Sequence, residues 1–345
     1  MSQDYNEDNV AILPSAFKDL LRMQIKNHNP TMVKGPPGIG KTDMIKQVCK
    51  EMGISLIMFH PVVSDPTDFK GFPFIGPDGI ARFVPFAELK MLVDAKKPTV
   101  AFLDDLGQAP PSVQAACMQL ILGGQINGIK IPDLVTFLAA TNRKQDNANV
   151  TGILEPVKSR FTTIVELKTS MKDWVQWANQ AGLPHEMIAF IRLKPKMLSD
   201  FKATANMTNS PSPRTIHNAA KLFSAGVCNN PALEFPALAG AAGAGFAAEF
   251  IGFRKIYKDL PDPDHIIMSP NVAKVPTEPS ALYAVCGAVA ARANPSNMAN
   301  VVTYANRIPS DFSMVMIIDT LDRAPDCAQT PAFIKWAAEH SDFVC

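Results

Sequence analysis

The chain has 345 residues, 47% of them hydrophobic and 19% charged, enough for a buried core and for two or three domains. Its formal net charge of +1 argues against a strong non-specific hold on nucleic acid or on an anionic membrane. The six cysteines, at 49, 117, 228, 286, 327 and 345, form no CxxC pair and stand apart from the histidines, a pattern of reduced thiols rather than a disulfide or zinc framework.

The acidic, polar start MSQDYNEDNV lacks the basic end and apolar run of a signal peptide, so a cytoplasmic protein is expected. Ala16 to Lys26 has helical spacing. Thr31 to Lys34 reads as a strand feeding a glycine loop, and Thr42 to Glu51 as the helix behind it. Ser55 to His60 is a second buried strand. Pro77-Asp78-Gly79 between apolar flanks predicts a hairpin over Phe74 to Phe83, and Pro85 to Ala95 a helix. Thr99 to Leu103 is a third strand, ending in Asp104-Asp105. A helix over Pro111 to Leu122 follows, then a second hairpin, Gly124 to Ile131, turning at Asn127-Gly128. Leu134 to Ala140 is a fourth strand, ending in Thr141-Asn142, and Thr162 to Leu167 a fifth. Short apolar strands alternating with helices predict a parallel α/β sheet.

Beyond about residue 170 helical patterns take over. A junction at Ser210 to Pro213 precedes a helix over Arg214 to Phe223. The most apolar stretch, Ala237 to Phe250, is short and carries Glu249, so it predicts a packed helix rather than a membrane span. Asp259 to Pro279 is dense in proline and reads as a connecting loop to further helices. Trp174, Trp177 and Phe190 fall in helical patterns as core residues. His60, His185 and His217 show no ligand spacing and read as structural. The expected division is 1–168, 169–255 and 256–345.

The run Gly35-Pro36-Pro37-Gly38-Ile39-Gly40-Lys41-Thr42 matches GxxxxGK[ST] between a strand and a helix. Glycines let the backbone wrap phosphate with its N–H groups inward, at the positive end of the next helix. These residues, with Asp43, are the expected ATP contacts. Lys41 supplies charge to the β- and γ-phosphates, and Thr42 a magnesium ligand. An apolar strand ending in two carboxylates suits a Mg2+ site opposite: Asp104 for the metal, Asp105 to orient the attacking water. Asn142 can reach that water through its amide, although taken alone it reads better as a strand-capping turn residue.

GPPGIGKT, FLDDLGQAPPSVQAACMQLIL, FLAATN, LEPVKSRF and SPRTIHNAA, in this order and with DPTDFKGFP at 65–73, resemble the MoxR branch of AAA+ ATPases over about residues 10–255. The resemblance implies a three-layer αβα P-loop NTPase core with a parallel sheet, then an α-helical lid and a helical C-terminal extension. It assigns Lys41 and Thr42 to Walker A, Asp104 and Asp105 to Walker B, and Asn142 to sensor 1. Arg160 becomes an arginine finger reaching a neighbour's ATP, and Arg214 a sensor 2 on the lid. It also implies a homo-oligomer, a hexameric ring whose hairpins face the pore. The ring would remodel a protein client, often with a partner bearing a von Willebrand A-type metal-binding domain.

Two features depart from that pattern. The usual second Walker B residue is Glu, and Asp105 is one methylene shorter, about 1.5 Å further back; misplacement on that scale can cost about a hundredfold in rate. The tail past about 255 matches no named module. Two rival readings are a DNA-directed AAA+ motor or loader, and an ATP-gated scaffold that scarcely hydrolyses.

Overall fold

The computed structural model describes residues 10–146, 152–201, 206–258 and 260–340; of the segments read above, residues 1–9, Asp259 and Cys345 lie outside the described residues. Contacts group the chain into two units, Met1–Thr169 and Ser170–Cys345.

In the first unit the elements run β1 (Ala11–Ile12), α1 (Pro14–Lys26), β2 (Thr31–Lys34), α2 (Lys41–Glu51), β3 (Ser55–Phe59), β4 (Phe72–Ile75), β5 (Ala81–Val84) and α3 (Ala87–Val93). They continue with β6 (Thr99–Leu103), α4 (Pro111–Gly123), β7 (Gln125–Ile126), β8 (Ile129–Lys130), β9 (Val135–Thr141), α5 (Glu155–Lys158) and β10 (Thr163–Leu167). Six strands form one sheet in the order β1-β10-β2-β9-β6-β3, every pairing parallel. Alternation along the strands builds three layers. In β6, Val100 and Phe102 join Phe17 and Leu21 of α1 and Ile45 and Val48 of α2 on one face. Ala101 and Leu103 point the other way, to Leu89 of α3 and Val113 and Leu120 of α4. A strand apolar on both faces must be covered on both, which is why β6 and β9 are buried from end to end.

The five strands expected from sequence all lie in this sheet, within a residue or two of their expected ends. The sixth, β1, has two residues, too few for any periodicity to show. Helix α1 starts at Pro14 rather than Ala16, because proline suits the first helical position. Both hairpins form as separate two-stranded ribbons, β4–β5 and β7–β8.

The second unit holds only helices among its described residues, apart from short 3-10 turns: α6 (Met171–Gln180), α7 (His185–Leu193), α8 (Pro213–Ser224), α9 (Pro231–Ala242), α10 (Ala244–Lys258), α11 (Pro263–Met268), α12 (Pro279–Ala290), α13 (Met298–Ala305), α14 (Ser310–Arg323) and α15 (Pro331–Glu339). Phe190 is fully buried among Phe246, Phe250 and Phe253, and Trp174 is buried in the same cluster. Trp177 is half-buried, with His217 edge-on to its ring. On the buried carboxylate of Asp319, in α14, converge Asn179 of α6 and the guanidinium of Arg192 of α7. The helices before and after residue 255 thus share buried polar contacts.

Two expectations need correction here. Ala237 to Phe250 is two helices, broken at Gly243, whose φ of 96° is left-handed and where a Cβ would lie 2.7 Å from the Asn209 carbonyl oxygen. The proline-dense stretch is also more than a loop. Asp262 accepts from the Asp264 amide, Pro263 opens α11 at a position that tolerates proline, and Ile266 and Ile267 are buried. Among the described residues no helix is long and apolar enough to cross a membrane, and Cys49, Cys117, Cys228, Cys286 and Cys327 form no disulfide.

Candidate nucleotide site

The registers of β2, β9 and β6 run in step, with Lys34 opposite Thr141 and Leu103 opposite Ala139. The next residues, Gly35, Asn142 and Asp104, therefore emerge at one edge of the sheet. Parallel pairing has done what no local sequence signal could, and gathered groups from distant segments.

The Gly35 amide donates to the Thr141 carbonyl at 3.2 Å and pins the glycine loop to the end of β9. Gly40, at φ 105°, caps α2 from the left-handed region and brings no side-chain cap. The first amides of α2 are thereby left as donors at the positive end of a helix, the requirement for holding an anion. Pro36 and Pro37 complete the loop, and Ile39 anchors it in the core. Asp43, exposed in the first turn of α2, complements the helix dipole.

Lys41 is buried. Its Nζ donates to the carbonyls of Gly35 (2.8 Å) and Pro36 (3.1 Å) and to Oδ1 of Asn142 (2.8 Å). Thr42 donates its hydroxyl to Asp104, 2.9 Å from Oδ2. Burial lifts the Asp104 carboxyl above the ordinary aspartate range; the Thr42 hydrogen bond opposes this and the Asp105 charge adds to it. The residues expected for phosphate, metal and sensor are thus in direct contact: Lys41 with Asn142, Thr42 with Asp104. No group of three or more His, Cys, Asp or Glu that could cage a metal occurs among the described residues. Mg2+ is ordinarily held by one or two protein oxygens plus phosphates and water, so Thr42 and Asp104 fit it.

Asp105 sits at φ 56°, ψ 34°, in the left-handed region, at the entry to a 3-10 turn over Leu106–Gln108. Aspartate is one of the few non-glycine residues that visit this region readily. Two residues later Gly107 presses on the end of β9: a Cβ there would lie 2.2 Å from Thr141 Oγ1. Sequence reading passed over Gly107; a glycine so close behind two carboxylates was the available signal. It also passed over Arg143, whose guanidinium binds Asp146 (2.7 Å) and Glu166 (3.2 Å) and so anchors the turn after Asn142. Burial works against the Glu166 charge, but hydrogen bonds from Lys168 and Arg143 hold its carboxyl below the usual range.

Arg160, just past α5, is half-buried. Its Nη1 meets Ser159 Oγ at 3.3 Å, while its Nε is buried without a hydrogen-bond partner. No hydrogen bond or ion pair among the described residues joins Arg160 to Lys41, Thr42 or the two aspartates. Arg214 belongs to the second unit, exposed in the first turn of α8 behind a capping box of Ser212 and Thr215.

Residues 31–169 match the model of the ATPase family associated with various cellular activities (AAA), a span that takes in the glycine loop, both aspartates, Asn142 and Arg160. With the sheet described above, this segment is a three-layer P-loop NTPase fold of the AAA type. No curated protein matches the chain. Among solved structures, the RuvB Holliday junction branch migration motor of Thermotoga maritima is 16% identical, with a TM-score of 0.36 and 82% of each chain covered. NtrX from Brucella abortus, in complex with ADP, is 13% identical with a TM-score of 0.39, covering 94% of this chain and 67% of that one.

Proposed function

We propose that the chain is a Mg·ATP-dependent AAA+ ATPase of the MoxR type, which assembles into a hexameric ring in the cytoplasm and remodels a protein client. The observation that carries ATP binding is the pair of contacts at the sheet edge, Lys41 to Asn142 and Thr42 to Asp104. A lysine held by loop carbonyls beside an uncapped helix end is poised to trade those partners for phosphate oxygens.

In this reading the amides of residues 38–42 and the Lys41 ammonium hold the phosphates, and Thr42 and Asp104 hold the metal. Bound Mg2+ supplies charge neutralisation on the phosphate oxygens. Asp105 orients the attacking water, and Asn142, released by Lys41, hydrogen-bonds to it. Arg160 of one subunit completes the site of the next. A guanidinium suits a bidentate hold on phosphate, and that of Arg160 is only half-buried. Arg214 takes the sensor 2 role. The client class, including a partner with a von Willebrand A-type domain, rests on the MoxR resemblance.

The direct test is Lys41→Ala. It should abolish ATP binding while the melting curve stays within a few degrees of wild type, read by nucleotide titration and calorimetry. Wild-type affinity in a folded variant would sink the assignment. One observation favours the ATP-gated scaffold as a second reading: Asp105 is both a methylene short and held left-handed. Phosphate release by the purified protein separates the two.

A further inference from the structure

The β4–β5 ribbon presents apolar side chains on both faces. Register puts Phe72, Phe74 and Val84 on one face and Pro73, Ile75 and Phe83 on the other. None of these is covered: Phe74 is 58%, Ile75 68% and Phe83 43% exposed. The only charges on the ribbon, Asp78 and Arg82, neutralise each other through a two-pronged pair at 2.9 and 2.5 Å. Such a surface has no free charge with which to attract a charged partner.

The two long edges of the ribbon differ. Gly76 donates to the Ile80 carbonyl, and this fixes the phase of the ladder: positions 72, 74 and 76 bond across to 84, 82 and 80. Residues 73 and 75 on one strand, and 81 and 83 on the other, therefore turn their backbone groups outward. On β4 the outward position 73 is proline, which leaves that edge with a single outward N–H, that of Ile75. On β5, Ala81 and Phe83 both keep an N–H and a carbonyl. No other described strand pairs with β5. Pro85 ends the run. The open edge is two outward residues long, enough for four hydrogen bonds to a strand of about five residues.

We propose that the outer edge of β5 takes up an extended, uncharged peptide segment as an added strand, gripped by the Ala81 and Phe83 backbone and flanked by apolar side chains on both faces. This rests on the protein-client reading above and names the chemistry of the segment engaged: alternating apolar side chains, no charge, and free backbone N–H groups. A second copy is the poorer occupant. Pairing β5 with β5 of another chain is two-fold, and such a pair cannot serve as the head-to-tail contact that closes the ring proposed above.

The test uses the full-length chain and a fluorescent eight-residue peptide alternating valine and threonine, followed by anisotropy, with phosphate release measured in the same samples. Phe83→Pro removes one outward N–H while leaving the internal ladder intact. It should weaken peptide binding at least tenfold, with ATP turnover unchanged. Phe83→Ala keeps the N–H and should weaken binding less. The same peptide N-methylated at alternate amides should fail to bind wild type in one of its two phases. Hydrogen exchange at Ala81 and Phe83 should slow with peptide present. Equal binding by wild type and Phe83→Pro, or no binding by wild type, would overturn the proposal. So would Phe83→Pro converting a peptide-free oligomer to monomers by sedimentation, which would assign the edge to a second copy. If the ATPase reading fails instead, turnover is absent in wild type while the peptide still binds and Phe83→Pro still weakens it.

Discussion

Strand β6 and the β4–β5 ribbon have similar composition and opposite fates. Both are mainly apolar and include Phe, Val and Ala, yet every residue of β6 is buried and every residue of β4 and β5 is exposed. The difference is coverage: β6 has two paired neighbours and a helical layer on each face, the ribbon only its own partner strand. A buried parallel strand fixes where its last residues emerge, and here those are Asp104 and Asp105. A ribbon of the same chemistry left uncovered cannot position chemistry so firmly, but it keeps apolar surface and backbone donors for another molecule.

The largest effect should come from Arg160, which precedes β10 at the end of the sheet away from the glycine loop and, among the described residues, makes no hydrogen bond or ion pair with its own chain's site. Arg160→Ala should bind ATP normally and hydrolyse it about three to five orders of magnitude more slowly, the usual contribution of an arginine finger. Mixing it with Lys41→Ala subunits, each inactive alone, should recover phosphate release wherever a sound loop faces a sound finger. No recovery, with monomers by light scattering at all ATP concentrations, would defeat the ring. Phe74→Ala on the ribbon should leave turnover within about twofold, since it touches none of these groups.

Core packing comes next. Phe102→Ala should cost about 3–5 kcal/mol of stability, against about 0.5 kcal/mol or less for Phe74→Ala, measured by denaturant unfolding. Similar losses at both positions would mean that the ribbon is covered in solution.

Asp105 sharpens the comparison further. Asp105→Ala should keep ATP affinity and lose about a hundredfold in turnover. Asp105→Glu should keep or raise turnover because its carboxylate reaches further. It should also lower the melting midpoint, since glutamate at φ 56° costs about 1–2 kcal/mol more than a residue at ease there. Turnover in Asp105→Ala equal to wild type would place the water-orienting group elsewhere.

The smallest effect concerns the link between the hairpins. Asn127 donates to the Lys70 carbonyl at the root of the ribbon, from a left-handed φ of 46°. Asn127→Ala loses that bond and adds strain, about 1 kcal/mol in local stability. Amide exchange over 70–84 should quicken severalfold while that of β6 stays unchanged; no change over 70–84 would show that the ribbon is held without Asn127.

The sequence carried the local half of this protein. A strand, a glycine loop with Lys41-Thr42, and a helix follow one another between Thr31 and Glu51, so the phosphate site was legible as a motif. The five main strands were legible because burial on both faces demands unbroken apolar runs. The same holds for the turn at Asn127-Gly128, where φ > 0 demands those residue types. Tertiary structure decided the rest. The strand order β1-β10-β2-β9-β6-β3, which sets Asn142 against Lys41 and Asp104 against Thr42, depends on pairings between distant segments that leave no mark on either one. The break at Gly243 exists because the Asn209 backbone approaches it, and the left-handed turn of Asp105 accompanies the packing of Gly107 on Thr141. The exposure of Phe74 and burial of Phe102 likewise follow from what lies above each, and coverage is a property of the assembled layers rather than of either segment.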